Sequence, residues 1–248
     1  VLMSKRKKMS LNESFLSTLT RAFETYLQMN ARSNEKLKIL HAKIASDLAQ
    51  KLGNEFEVKS YGVGDGKEEN LVGRYYDKAV DISVLQNSAG RAGVAVKFVM
   101  SNYAQNANNY FENMLGETAN LRSNGLPYFQ ILIVPESMPY FEQDGSIGKI
   151  EELKAHHLHK YLKLFEDNVE NFFHTPNKTL LVVVKLPEFS HALDKDEYKA
   201  LCSGEALQYS QKFKAEFENK NSANFEGSVI FNDYERFLNK LYHSVLAL

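Results

Sequence analysis

The sequence predicts a layered α/β domain, on three observations. Two apolar repeats at helical spacing open the chain, and short alternating runs follow at 56–60, 79–85 and 93–99. Helix-period and strand-length apolar segments then alternate toward the end. In order, Phe15, Leu19, Ala22, Phe23 and Tyr26 mark one helix, and Leu37, Leu40, Ile44, Leu48 and Leu52 a second that stops at Gly53. Phe56, Val58 and Ser60 alternate with charged residues and run into the flexible-loop sequence Gly62-Val63-Gly64-Asp65-Gly66-Lys67. The runs 79–85 and 93–99, joined by a turn at 86–90, read as an antiparallel hairpin. Over 104–122 the period is helical, with Ala104, Ala107, Phe111, Met114, Thr118 and Leu121 on one side and Gly125 and Pro127 beyond the end. The continuous apolar run 128–134, bounded by Pro127 and Pro135, suits a buried strand. A long helix over 150–173, a strand over 180–186 and helices near 194–218 and 232–245 complete the expectation.

Composition narrows the class. A chain of 248 residues with 44% hydrophobic content suits one domain with a sizeable core, and no repeat or linker divides 1–248. The charges nearly cancel to a net −1, so no global field points to nucleic acid, a membrane or an acidic partner, although a local basic cleft remains compatible. Cys202 stands alone and cannot close an intramolecular disulfide. With no secretory leader and no run of about 18 apolar residues, the expectation is a cytoplasmic protein with no membrane contact. The run Lys5-Arg6-Lys7-Lys8 reads as a frayed basic terminus or as a phosphate contact.

The residues that carry chemistry cluster around the predicted hairpin. Asp81 sits inside a Val80-Asp81-Ile82 run, where an unpaired carboxylate is costly unless a cation or donor partners it. Alternation puts Asp81 and Lys97 side by side, off the more apolar face of their strands. A cross-strand ion pair is one reading of this, and a metal-dependent hydrolytic site the other. On the helix that follows, Asn102, Asn106, Asn109, Asn113, Glu117 and Asn120 recur every three or four residues as a narrow polar stripe. Asparagine is a mediocre helix former, so a row of amides suits a dedicated polar surface such as contacts to phosphate and base edges. That makes Asn106, Asn109, Asn113 and Asn120 candidate DNA contacts, against the alternative of an ordinary wet face.

The arrangement resembles the PD-(D/E)XK nuclease superfamily, which includes many type II restriction endonucleases. The resemblance covers roughly 47–135, where helix, three strands, helix and strand follow in the family's core order. Val80-Asp81-Ile82 is similar to the family's first motif and Ala95-Val96-Lys97 to its tripeptide, with Val80 in place of the proline and Ala95 in place of the second acid. Some members carry that acid on the next helix, where Glu117 and Glu112 stand, and Glu117 is preferred because it lies beside the Asn stripe. The resemblance implies a restriction-endonuclease-like mixed central sheet flanked by helices. It further implies a prokaryotic Mg²⁺-dependent endodeoxyribonuclease, with Mn²⁺ a possible substitute, acting on double-stranded DNA. Asp81, Glu117 (or Glu112) and the backbone carbonyl of Val96 would hold the metal, and Lys97 would act on the attacking water. The chain over 136–248 would serve recognition and dimerisation in a homodimer, beside a cognate DNA methyltransferase. A structure-specific repair nuclease and an inactive binding or immunity protein are the rival readings.

Weaker signals lie nearby. The glycine-rich loop lacks phosphate-loop spacing, and His156, His157 and His159 lack the Cys or His partners of a zinc site. Asp77, Glu68 and Glu69 could join a metal site, but an exposed turn and an exposed charged loop are the preferred readings.

Overall fold

Helices α1 (Leu11–Gln28) and α2 (Glu35–Leu52) form where the apolar repeats predict, and Gly53, at a φ of 73°, ends the second. They belong to a computed structural model that describes residues 9–28, 35–63, 66–100, 102–185, 194–198 and 227–248. The strands expected at 56–60 and 93–99 form as β1 (Glu57–Ser60) and β5 (Ala89–Phe98), whereas the single strand expected over 79–85 is split at Asp81 into β3 (Lys78–Val80), which pairs with β2 (Glu69–Leu71), and β4 (Ile82–Gln86). Helix α3 (Tyr103–Arg122) and strand β6 (Tyr128–Pro135) come next. After them lie β7 (Ser137–Phe141), β8 (Ile147–Glu152), α4 (Ala155–Glu166), β9 (Lys178–Val184), β10 (Val229–Phe231) and α5 (Tyr234–Leu246).

Six strands make one mixed sheet in the order β1-β4-β5-β6-β9-β10. The pairs β1–β4 and β4–β5 are antiparallel, while β5–β6, β6–β9 and β9–β10 are parallel. A parallel pair needs a crossover, and α3 supplies it between β5 and β6. Helices cover both faces. Phe15, Leu40, Ile44, Phe237 and Leu241 of α1, α2 and α5 pack with Ile82, Val94, Val96, Phe129 and Val182 on one face. Tyr103, Met114, Leu158 and Tyr161 of α3 and α4 pack with Leu132, Val134 and Leu181 on the other. The three helices of the first face are bolted together by Tyr234, whose ring stacks on Phe15 at 4.1 Å. Its hydroxyl donates to Asp47 at 2.8 Å, and Asp47 is paired in turn with Lys43.

The long helix expected over 150–173 is corrected at both ends. The helix predicted over 150–173 is only the twelve-residue α4, because 147–152 pairs as β8 with β7 and Leu153 N–H donates to the Glu136 carbonyl as the strand ends. Beyond α4 the chain turns instead of continuing, since the buried Arg122 guanidinium donates to the carbonyls of Val169, Phe172 and Thr175. One cation thus gathers three carbonyls of the segment that follows α4. The short β10 also escapes a sequence reading. The helix expected over 194–218 falls within the described residues only at 194–198, and Cys202 and the 5–8 basic run lie outside them.

Phe237 is fully buried and meets Phe129 edge-on at 6.3 Å. Phe237→Ala should lower the unfolding free energy by about 3–5 kcal/mol, read from urea denaturation followed by circular dichroism.

Candidate metal centre

The local geometry begins with a break in a strand. Strand β4 pairs with β5 only as far as Ile82 opposite Val94. One residue earlier, at Asp81, the chain leaves the sheet and β3 pairs off with β2 instead. Strand β5 runs on to Phe98 without that neighbour, which leaves a backbone donor to be satisfied. The Asp81 carboxylate takes it: Val96 N–H donates to Oδ2 at 2.6 Å. The buried Ser60 hydroxyl donates to the Asp81 carbonyl at 2.8 Å, so the backbone is held as well. Because N–H and C=O of one strand residue point to the same edge, the Val96 carbonyl faces this side too.

Continuing the register sets Asp81 opposite Ala95, with Lys97 one pleat further along where β3 has already diverged. The two are therefore not side by side as the sequence predicts, and they form no ion pair. Lys97 is exposed on the face opposite Val94, Val96 and Phe98, all three of which are buried under the helices of the first face. Ala95 is buried against Leu71, Val80, Leu121 and Tyr128.

Two residues converge on Asp81 from elsewhere. Ligand-type atoms of His41, Glu68 and Asp81 all lie within 4.8 Å of one another. His41 sits on α2 between the fully buried Leu40 and Ile44, and is 3% exposed. Neither of its ring nitrogens has a hydrogen-bond partner among the described residues. Glu68 directly precedes β2, so the β2–β3 hairpin begins at Glu68 and ends at Asp81. Burial pushes the His41 imidazole below its ordinary 6.5; Asp81 pulls it back up and Lys97 adds to the fall. Burial, and then Asp81, push the Glu68 carboxyl above its ordinary 4.5, while Lys78 and Lys97 oppose the rise. A buried imidazole without a hydrogen-bond partner and two mutually repelling carboxylates are two separate costs, and one divalent cation would occupy one ring nitrogen and relieve the repulsion. Ligand atoms around an octahedral ion lie about 3–4 Å apart, so the group needs only a slight contraction to hold one.

The predicted ligands on α3 lie at different distances from this point. Glu117 reaches the same neighbourhood but is engaged: its Oε1 is 3.1 Å from Lys78 Nζ, and its Oε2 accepts from the Tyr128 hydroxyl at 3.4 Å. Burial, then Glu117, then Asp81 hold that hydroxyl well above its ordinary value. Glu117 does not belong to the His41, Glu68 and Asp81 group. Glu112 is exposed and faces α4, where its charge acts on Lys160.

The asparagine stripe divides into parts with different roles. Asn120 is a correction: at 2% exposure it accepts from Tyr75 N–H and donates to the Tyr76 carbonyl, both at 2.9 Å, which leaves its amide nothing to offer DNA. Asn106 donates to the Asn102 carbonyl, and Asn109 donates to Asn106 at 3.4 Å, near the helix start. Asn113 is exposed. Asp77 is exposed in the β2–β3 tip. His157 Nδ1 accepts from Lys154 N–H and caps α4.

No protein-family model matches this chain, and neither a curated protein nor a solved structure is similar to it. The centre therefore rests on its own geometry. Among the described residues no helix is long and apolar enough to cross a membrane. Glu68 was visible in the sequence as a possible ligand on an exposed loop, and it is exposed in the structure. The signal for His41 was a lone histidine on the apolar stripe of α2, four residues after Leu37 and three before Ile44.

Burial holds His41 neutral in the fold, whereas in the unfolded chain it takes up a proton below its ordinary 6.5. The unfolded state thus binds more protons as pH falls through 6.5, and stability drops there. His41→Asn should shrink the difference in urea midpoint between pH 7.5 and pH 5 relative to the unsubstituted protein.

Proposed function

We propose that this protein is a divalent-metal-dependent endodeoxyribonuclease that hydrolyses DNA phosphodiester bonds. The observation that carries the reading is the convergence of His41, Glu68 and Asp81 beside Lys97, where β5 leads into the α3 crossover. A helix, an antiparallel set of strands and a parallel strand reached through a helix are the core order of the PD-(D/E)XK nucleases, which supports a restriction-endonuclease-like fold. The missing acid at Ala95 is then met by Glu68 from the hairpin, with His41 as a nitrogen ligand.

Asp81, Glu68 and His41 would hold the cation, and the Val96 carbonyl lies at hand as a fourth ligand. When bound, the metal polarises the scissile phosphate and lowers the pKa of a coordinated water. Asp81 keeps its position through the Val96 N–H bond. Lys97, exposed and carrying no ion pair among the described residues, orients the attacking water and offsets charge growing on the phosphate oxygens. Glu117 acts indirectly, holding Lys78 and Tyr128 behind the centre. The resemblance further supports a homodimer cutting a specific duplex site, with a methyltransferase as its counterpart, and the chain after Pro135 as the source of recognition and dimer contacts.

Plasmid digestion with Mg²⁺, Mn²⁺ and EDTA tests the reading. Cleavage should need a metal, and Mn²⁺ should outperform Mg²⁺ because an imidazole in the shell favours the softer ion. Asp81→Ala, Lys97→Ala, Glu68→Gln and His41→Ala should each lose about 100-fold or more in rate while keeping the native circular dichroism spectrum. Glu117→Gln should lose less and Glu112→Gln nothing. Full-rate cleavage by Asp81→Ala would overturn the assignment, and absence of cutting with every metal would identify a binding protein.

A further inference from the structure

The hairpin that joins two of the candidate ligands also carries the most exposed aromatic side chain among the described residues. Its tip, 72–77, displays Tyr75 at 76% exposure and Tyr76 at 55%. Large apolar rings in water are ordinarily found on loops that yield, and this one is held. The Asn120 side chain accepts from Tyr75 N–H and donates to the Tyr76 carbonyl, and the Asn120 backbone carbonyl accepts from Arg74 N–H at 2.9 Å. Asn124 donates to the Val72 carbonyl at 2.9 Å. Gly73 is packed so closely that a Cβ there would run into the Asn120 amide and the Tyr76 carbonyl. The tip backbone is therefore fastened both to α3 through Asn120 and to the turn after it through Asn124. Among the described residues neither tyrosine ring stacks on another ring.

Position gives the display a meaning. The hairpin starts at Glu68 and ends at Asp81, and its register pairs Leu71 with Lys78 just below the tip. Tyr76 and Asp81 are five positions apart, a span of at most about 18 Å. Tyr76 is near enough to act on the Tyr128 hydroxyl, which also feels Glu117 and Asp81. Arg74, exposed and next to Tyr75 in the chain, adds a cation suited to phosphate.

Resting on the nuclease reading above, we infer that Tyr75 and Tyr76 form a fixed stacking platform for an unpaired base of the DNA strand whose phosphodiester lies at the metal centre. Inside a duplex each base has both faces covered by its neighbours, so a protein ring stacks far more readily on an unpaired base than on one within the helix. Every base presents a π-face, which makes the contact tolerant of sequence. Because the fold has already immobilised the tip, stacking loses little to ordering of the backbone. The substrate class is thus DNA with an unpaired nucleotide next to the cut, whether in a single strand, at a flap, or flipped out of a duplex.

Fluorescence anisotropy in EDTA, where no cleavage occurs, tests this with a labelled single strand, a blunt duplex and a duplex bearing a single-stranded flap. The unsubstituted protein should bind the single strand and the flap more tightly than the blunt duplex. The double variant Tyr75→Ala/Tyr76→Ala should weaken both by about tenfold or more, the double Phe variant should bind as the unsubstituted protein does, and Val72→Ala should change nothing. If blunt duplex binding also depends on the rings and 2-aminopurine emission in that duplex rises on binding, flipping supplies the base. Binding that survives loss of both rings on all three DNAs overturns the inference, as does failure of the Phe variant to restore it. So does ring-dependent duplex binding without a change in 2-aminopurine emission. A protein that stacks DNA on these rings yet never cuts would retain the platform and lose the nuclease. One that cuts and binds at full strength without the rings would do the reverse.

Discussion

The hydrogen bond from Val96 N–H to the Asp81 carboxylate is the interaction on which the site depends. It exists because β4 leaves β5 one residue too early to complete the ladder, and a buried N–H without a partner costs about as much as a lost hydrogen bond. A side chain supplies what the departed backbone does not. In doing so it holds a carboxylate still at the end of a buried strand, between Val80 and Ile82 that face different clusters. Remove that bond and the bend, the β2–β3 hairpin and the approach of Glu68 lose their common anchor.

Electrostatics around the anchor are arranged unevenly. Glu117 has its cation in Lys78 and a donor in Tyr128, so its charge is already answered. His41 and Glu68 are answered by nothing of comparable strength, and each is pushed toward its neutral form by burial. A folded chain tolerates such a group when a ligand removes the cost, and the asymmetry between Glu117 and Glu68 separates a structural carboxylate from a candidate metal ligand. The same asymmetry explains why a polar stripe on one helix holds residues of different kinds. Asn120 fastens a loop, Glu117 sits in an ion pair, and Asn106 and Asn109 tie up the helix start.

The hairpin connects these observations to a surface. Its base holds two carboxylates and its tip two tyrosines, and Asn120 makes the whole element one rigid lever fixed to α3. The hydrogen bonds from Asn120 fasten the backbone that carries the rings, on the same hairpin that leads to Asp81.

Most of the fold was legible because helix and strand periods are local. The apolar repeats of α1, α2 and α3, the hairpin of β4 and β5 and the run of β6 each declare themselves within a dozen or so residues. Where the reading failed, a distant partner had overruled the local pattern. Arg122 gathers carbonyls some fifty residues away and ends α4 early, and β7 turns the expected start of that helix into a strand. The site divides in the same way. The sequence by itself determined that Lys97 stands on the side of its strand away from the more apolar face, because alternation is a property of each strand alone. Only the tertiary structure decided that His41 and Glu68, rather than Glu117, meet Asp81, because the three lie on a helix, a loop and a strand break whose mutual distance no periodicity encodes.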